Sequence, residues 1–203
     1  MKNILIASSF CLMSISSFAQ AMPEKEFKKH IGFNTTIILN NIFQPSGAPF
    51  TLMFKNQTKG NQAFRLGASL FFSNVYSNNN NQAQQNFNNN IQLTIGKEFQ
   101  SSITKRWLWY SGADIAPYFQ LSGFELTNQK ITNISYGLSL RPFLGLRFNI
   151  NARLYVATEA GLGLTYGFTN NTNTNNSVTN KSDGNQFSFG LNSASSLFLF
   201  YLF

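Results

Sequence analysis

Ile134-Ser135-Tyr136-Gly137-Leu138-Ser139-Leu140-Arg141-Pro142-Phe143-Leu144-Gly145-Leu146-Arg147-Phe148 alternates over its whole length. Successive side chains of a β-strand point to opposite faces, so a period of two sorts them into two sets. Ile134, Tyr136, Leu138, Leu140, Pro142, Leu144, Leu146 and Phe148 make one face, apolar enough for lipid. Ser135, Gly137, Ser139, Arg141, Phe143, Gly145 and Arg147 make the other, which is small, polar and sparsely charged. A soluble barrel wets its outside with many Lys and Glu. The second face has too few charges for that role and suits a narrow interior.

The neighbouring segments repeat the pattern. Trp107, Trp109, Ala113, Ile115, Pro117 and Phe119 oppose Tyr110, Gly112, Asp114, Ala116, Tyr118 and Gln120. Further on, Leu154, Val156, Ala160, Leu162 and Leu164 oppose Tyr155, Glu159, Gly161 and Gly163. Alternation predicts eight strands, at 30–40, 50–57, 63–76, 91–100, 107–123, 131–148, 153–168 and 186–203. Most reach the ~9–11 residues that a tilted strand needs to cross the hydrocarbon layer. Pro117 and Pro142 each remove a ladder donor, which predicts a bulge at each.

Short connections at 58–61, 101–104 and 149–152 alternate with longer ones at 41–49, 77–90, 125–130 and 169–185. Short periplasmic turns and long external loops are the usual asymmetry of outer-membrane barrels. The stretches 77–90 and 169–185 are Asn-rich and almost free of apolar anchors, which predicts mobile surface loops. The expected architecture is therefore all-β: an eight-stranded antiparallel up-and-down transmembrane β-barrel over 30–203. Trp107 and Trp109, with Phe99, Phe148, Tyr201 and Phe203 at matching heights, would form an interfacial girdle.

Composition agrees. Charged residues are 11% of the 203, against ~25% in soluble domains, while aromatics reach 15%. The net charge of +8 comes from scattered bases without a recognition motif, which argues against nucleic acid as a partner. At the start, Lys2, the apolar run Ile4 to Ile15 and Ser17-Phe18-Ala19 read as a secretory signal, residues 1–19, cleaved before Gln20. Residues 20–29 would be a short periplasmic segment. Cys11, the sole cysteine, lies inside the signal, so no disulfide framework is expected.

Gly137 to Gly145 (GLSLRPFLG), Ala160-Gly161-Leu162-Gly163-Leu164 and the terminal Tyr201-Leu202-Phe203 resemble the small outer-membrane barrels common in Bacteroidetes, akin to the OmpX and OmpA-anchor barrels. The resemblance covers nearly all of the chain after the signal. It implies outer-membrane lipid and lipopolysaccharide as surroundings, with both termini periplasmic. It also implies that Tyr201 and Phe203 act as an assembly signal read by the barrel-assembly machinery. Activity is not implied, because such barrels share no biochemical role.

Hairpin arithmetic places the interior charges. A turn centred on Ile150 sets Arg141 opposite Glu159, and one centred on 127–128 sets Asp114 opposite Arg141. Glu98 would lie near Arg65 and Arg106, with Lys55 beside Arg65. Eight strands enclose a space that side chains can fill, so these groups are expected to form an ion-paired plug. Chemistry finds little material. Barrel enzymes of lipid A place a histidine with a serine and an acid near the outer leaflet, whereas His30, the sole histidine, falls at the opposite end. No His, Cys or acid cluster suggests a metal, and no cofactor is expected. The reading is a non-enzymatic barrel with a filled interior and Asn-rich external segments, in a structural or surface-interaction role with no extracellular ligand assigned. The alternatives are a narrow pore for ions or small solutes, and a secreted soluble lipid-binding barrel.

Overall fold

Each alternating segment can satisfy its backbone only by pairing with a neighbour, and short turns make the next segment that neighbour. The computed structural model describes residues 28–35, 50–58, 61–79, 82–126 and 128–203. In it the chain is all-β. The strands are β1 Lys29–Asn34, β2 Phe50–Thr58, β3 Gln62–Asn79, β4 Gln82–Ser102, β5 Trp107–Leu126, β6 Gln129–Asn149, β7 Leu154–Asn175 and β8 Val178–Leu202. Every strand is antiparallel to the next, and β8 returns to pair with β1, so one sheet closes in a ring. At the seam Lys29 N donates to Phe203 O at 3.2 Å, and Phe203 N to Lys29 O at 2.9 Å. The expected signal at 1–19, the segment 20–27 and the stretch 36–49 lie outside the described residues.

Two expected loops are strands. Residues 77–79 and 82–90, and 169–175 and 178–185, continue the β3–β4 and β7–β8 hairpins, whose pairing runs to Asn79↔Gln82 and Asn175↔Val178. The β5–β6 hairpin likewise pairs to Leu126↔Gln129. The backbone ladder does not need apolar side chains, and polar pairs support it here. Thr174 and Thr179 hydroxyls lie 3.0 Å apart, and Gln85 Nε2 donates to Tyr76 Oη at 3.0 Å. The turn at the end of β7 is Asn176-Ser177, with φ of 46° and 70°. Two positive φ values are what a two-residue hairpin turn of type I′ requires. The links at the other end of the ring, 59–61, 103–106 and 150–153, are each one or two residues longer than those three hairpin links, while the longest link, 35–49 between β1 and β2, belongs to the hairpin end.

The prolines do not shift the register. Gln92↔Tyr118 and Ile95↔Ile115 flank Pro117 on one alignment, and Leu140↔Leu164 and Phe143↔Gly161 flank Pro142. The pairs between them drop out, as a missing donor dictates. The irregularity lies instead between β7 and β8, where Glu159↔Ser196 is followed by Gly161↔Asn192.

Polarity is inverted relative to a soluble fold. Large apolar side chains stand exposed on every strand, among them Ile31, Leu52, Leu66, Ile95, Trp109, Leu140, Leu162 and Tyr201. The inside holds Met53, Tyr110, Phe143, Tyr155, Phe198, Phe200 and Leu202, packed at the end that carries the 59–61, 103–106 and 150–153 turns. Long residues enter this narrow space over cross-strand glycines. Phe200 lies over Gly32, Tyr110 over Gly145 and Phe143 over Gly112, and in each case a Cβ on the glycine would collide with the ring.

Candidate functional site

β2, β3, β4, β5 and β7 each aim charged side chains at one level of the interior. Lys55 and Arg65 are cross-strand partners on β2 and β3. Lys55 Nζ lies 2.7 Å from Glu98 Oε2 and 3.9 Å from Glu159 Oε1. Arg65 grips Glu159 with both terminal nitrogens at 2.9 Å, and lies 3.2 Å from Glu98 and 3.3 Å from Asp114. Lys55, Arg65, Glu98 and Asp114 are all buried. Taking such charges from water costs several kcal/mol each, so the group persists only because its members pair.

Neutral groups complete it. Tyr110 Oη donates to Glu159 Oε1 at 3.0 Å, and Gln100 Nε2 to Glu98 Oε1 at 2.7 Å. Gln57 Nε2 in turn donates to Gln100 Oε1 at 2.8 Å. Aromatic faces cover the cations: Lys55 Nζ lies 4.6 Å from both the Tyr110 and Phe200 ring centres, and Arg65 Cζ 3.9 Å from that of Phe143. Such faces attract cations most where water is excluded. Asp114 is held most loosely, since its Oδ1 is buried without a hydrogen-bond partner.

The structure brings Asp114, Glu159, Glu98, Arg65 and Lys55 together. It places Asp114 opposite Arg141 in register, but the guanidinium of Arg141 donates to Gln92 Oε1 at 3.1 Å. Glu159 faces Gly145 rather than Arg141, because the β6–β7 turn is centred two residues later than Ile150. Arg106 sits in the 103–106 turn, while Glu98 faces Gly112. Thus Arg65, not Arg141, is the central cation. His30 lies at the turn-side end, where its Nδ1 is 3.2 Å from Tyr155 Oη. Tyr201 and Phe203 face outward, and Leu202 and Phe200 inward.

Beyond this level, toward the hairpin tips, the interior is polar, and its charge is Arg141, which holds Gln92. Ser139 pairs with Thr165 at 2.7 Å, Gln120 donates to Asn88 at 3.2 Å, and Ser135 meets Thr169 at 3.0 Å. The acids of the interior point at cations. Among the described residues no group of three or more His, Cys, Asp or Glu is arranged to hold a metal ion. What the arrangement can do chemically is tie opposite walls together and fill the space between them. No protein-family model matches the chain, and neither does any curated protein.

Proposed function

We propose that the chain is a non-enzymatic integral β-barrel of the bacterial outer membrane. Its interior is closed by the ion-pair cluster, and its Asn-rich hairpins are held outside the cell. The observation that carries this reading is the inversion of polarity: Lys55, Arg65, Glu98 and Asp114 are buried while large apolar side chains face outward on all eight strands. Water would penalise that exterior, since soluble monomers rarely expose apolar patches above a few hundred Å². A bilayer favours it, and closure leaves no backbone edge in lipid.

Dimensions support the same reading. The outward face of β6 runs from Tyr136 to Phe148 without a charged residue. These twelve residue steps, tilted at about 40°, span about 30 Å, close to the hydrocarbon thickness. Aromatics bracket that band: Trp107 packs against Phe148 at one end, with ring centres 4.7 Å apart, and Tyr136 against Phe168 at the other, at 5.7 Å. The hairpins then project beyond the aromatic level, which suits them to envelope contact or surface interaction. The end that carries the 59–61, 103–106 and 150–153 turns, with both termini, would face the periplasm.

Expression and fractionation test it. The protein is expected in membranes that survive a carbonate wash, to need detergent for extraction, and to migrate faster on a gel before boiling than after. A folded chain released without detergent would overturn the membrane reading and favour the soluble lipid-binding barrel.

A further inference from the structure

The geometry points to a seat for an anionic phospholipid headgroup on the outer wall at the turn-side end, between the β6–β7 turn and the β8–β1 seam. It rests on the membrane reading. An open hollow is lined there by Asn151, Ala152, Arg153, Leu154 and Tyr201. Its wall is mostly apolar, yet a guanidinium stands in it: Arg153 Nη1 donates to Tyr201 Oη at 3.2 Å. The turn that presents Arg153 is fixed, because Asn151 Oδ1 accepts from the backbone N–H groups of both Arg153 and Leu154 at 2.8 Å.

A second cation completes the seat. Arg153 O accepts from Leu202 N on one side of β8, and Lys29 pairs with Phe203 on the other. Two strand spacings separate them, about 10 Å, which a phosphodiester headgroup can bridge. Lys29 shares the exposed face of β1 with Ile31, since His30 and Gly32 turn inward. Among the described side chains the surrounding charge has one sign. Lys28, Lys105 and Arg106 lie at the same end, and no described residue of the 103–106 or 150–153 turns is acidic. At the hairpin end Lys130 lies 2.8 Å from Glu125, so charge of both signs is present there. Cations beside aromatic side chains at the level of lipid phosphates attract anionic headgroups.

Native mass spectrometry on the full chain, folded in a zwitterionic detergent, tests the seat. Phosphatidylglycerol and phosphatidylcholine of equal acyl chains are titrated in parallel. Preferential retention of phosphatidylglycerol is expected, weakened about fivefold each by Arg153→Gln and Lys29→Gln. Lys130→Gln should leave it unchanged. Equal retention of the two lipids, or parent-like preference in the variants, would overturn the proposal. So would displacement by equimolar inorganic phosphate, which would assign the seat to the free anion. Lys29 is exposed, so Lys29→Gln carries the test should Arg153→Gln not fold. Heat-modifiable migration of the same samples keeps the two readings apart: a folded barrel without lipid preference overturns the headgroup seat alone.

Discussion

Arg65 stands on β3 and Glu159 on β7, four strands apart in a ring of eight, so their paired contacts at 2.9 Å cross the interior from one wall to the other. That geometry explains what the sequence could reveal of the cluster. Hairpin arithmetic aligns neighbouring strands, and it placed Asp114 opposite Arg141 and Lys55 beside Arg65, as the registers do. Contacts across the ring depend on side-chain length and on which neighbours are glycine, and no pairwise register encodes them. Energetics should follow the contacts. Glu159→Gln weakens both arms of the Arg65 fork and the Tyr110 bond, and breaking a buried pair costs about 3–5 kcal/mol. Asp114→Asn alters one 3.3 Å contact to a carboxylate whose other oxygen has no partner, and should cost less than about 1.5 kcal/mol. Urea titration in micelles, read from the heat-modifiable band, ranks the two variants; the reverse order would contradict Arg65–Glu159 as the central pair. Gly145→Ala probes the space under Tyr110. Its Cβ would meet the ring and hydroxyl, so overpacking should cost about 1–3 kcal/mol in the same titration. A neutral result would mean that the ring is free to move aside.

At the scale of elements, alternation located strands where one face is apolar and lost them where both faces are polar. β7 keeps its pattern to Phe168, then runs through Thr169-Asn170-Asn171-Thr172-Asn173-Thr174-Asn175 still paired with β8. No apolar period remains to be read there, because the strand persists through backbone pairing and hydroxyl contacts alone. The turn was equally hidden. Asn-Gly would have announced a two-residue hairpin, but the second turn position is Ser177 at φ 70°. A non-glycine residue in that conformation costs roughly 1–2 kcal/mol. Ser177→Gly should therefore stabilise the hairpin, and Ser177→Val should destabilise it, since a branched Cβ tolerates positive φ least. Hydrogen exchange of the amides flanking the turn provides the measurement. Slower exchange in the glycine variant and faster exchange in the valine variant are expected. Rapid, equal exchange in all three would show that the tip is a loop in solution, as its composition suggests.

For the whole molecule, the number of strands, their order and their two chemical faces follow from alternation, since a closed antiparallel ring needs little else. Whether such a ring conducts depends on what fills it, and here two materials fill one level. Phe143, Phe198 and Phe200 occupy the interior from β6 and β8, while Lys55, Arg65, Glu98 and Glu159 bridge the remaining walls. Polar groups toward the hairpin tips would admit water only as far as this level. Purified protein in a planar bilayer is therefore expected to show no steady single-channel conductance. Arg65→Ala combined with Phe143→Ala removes both the bridge and the ring that covers it, so it should open discrete current steps if the double variant keeps heat-modifiable migration. Sustained current through the parent protein would contradict the plug and favour a narrow pore. In that case neutralising Arg141, which lies on the tip side of the cluster and holds Gln92, should change ion selectivity, because its charge would line the path.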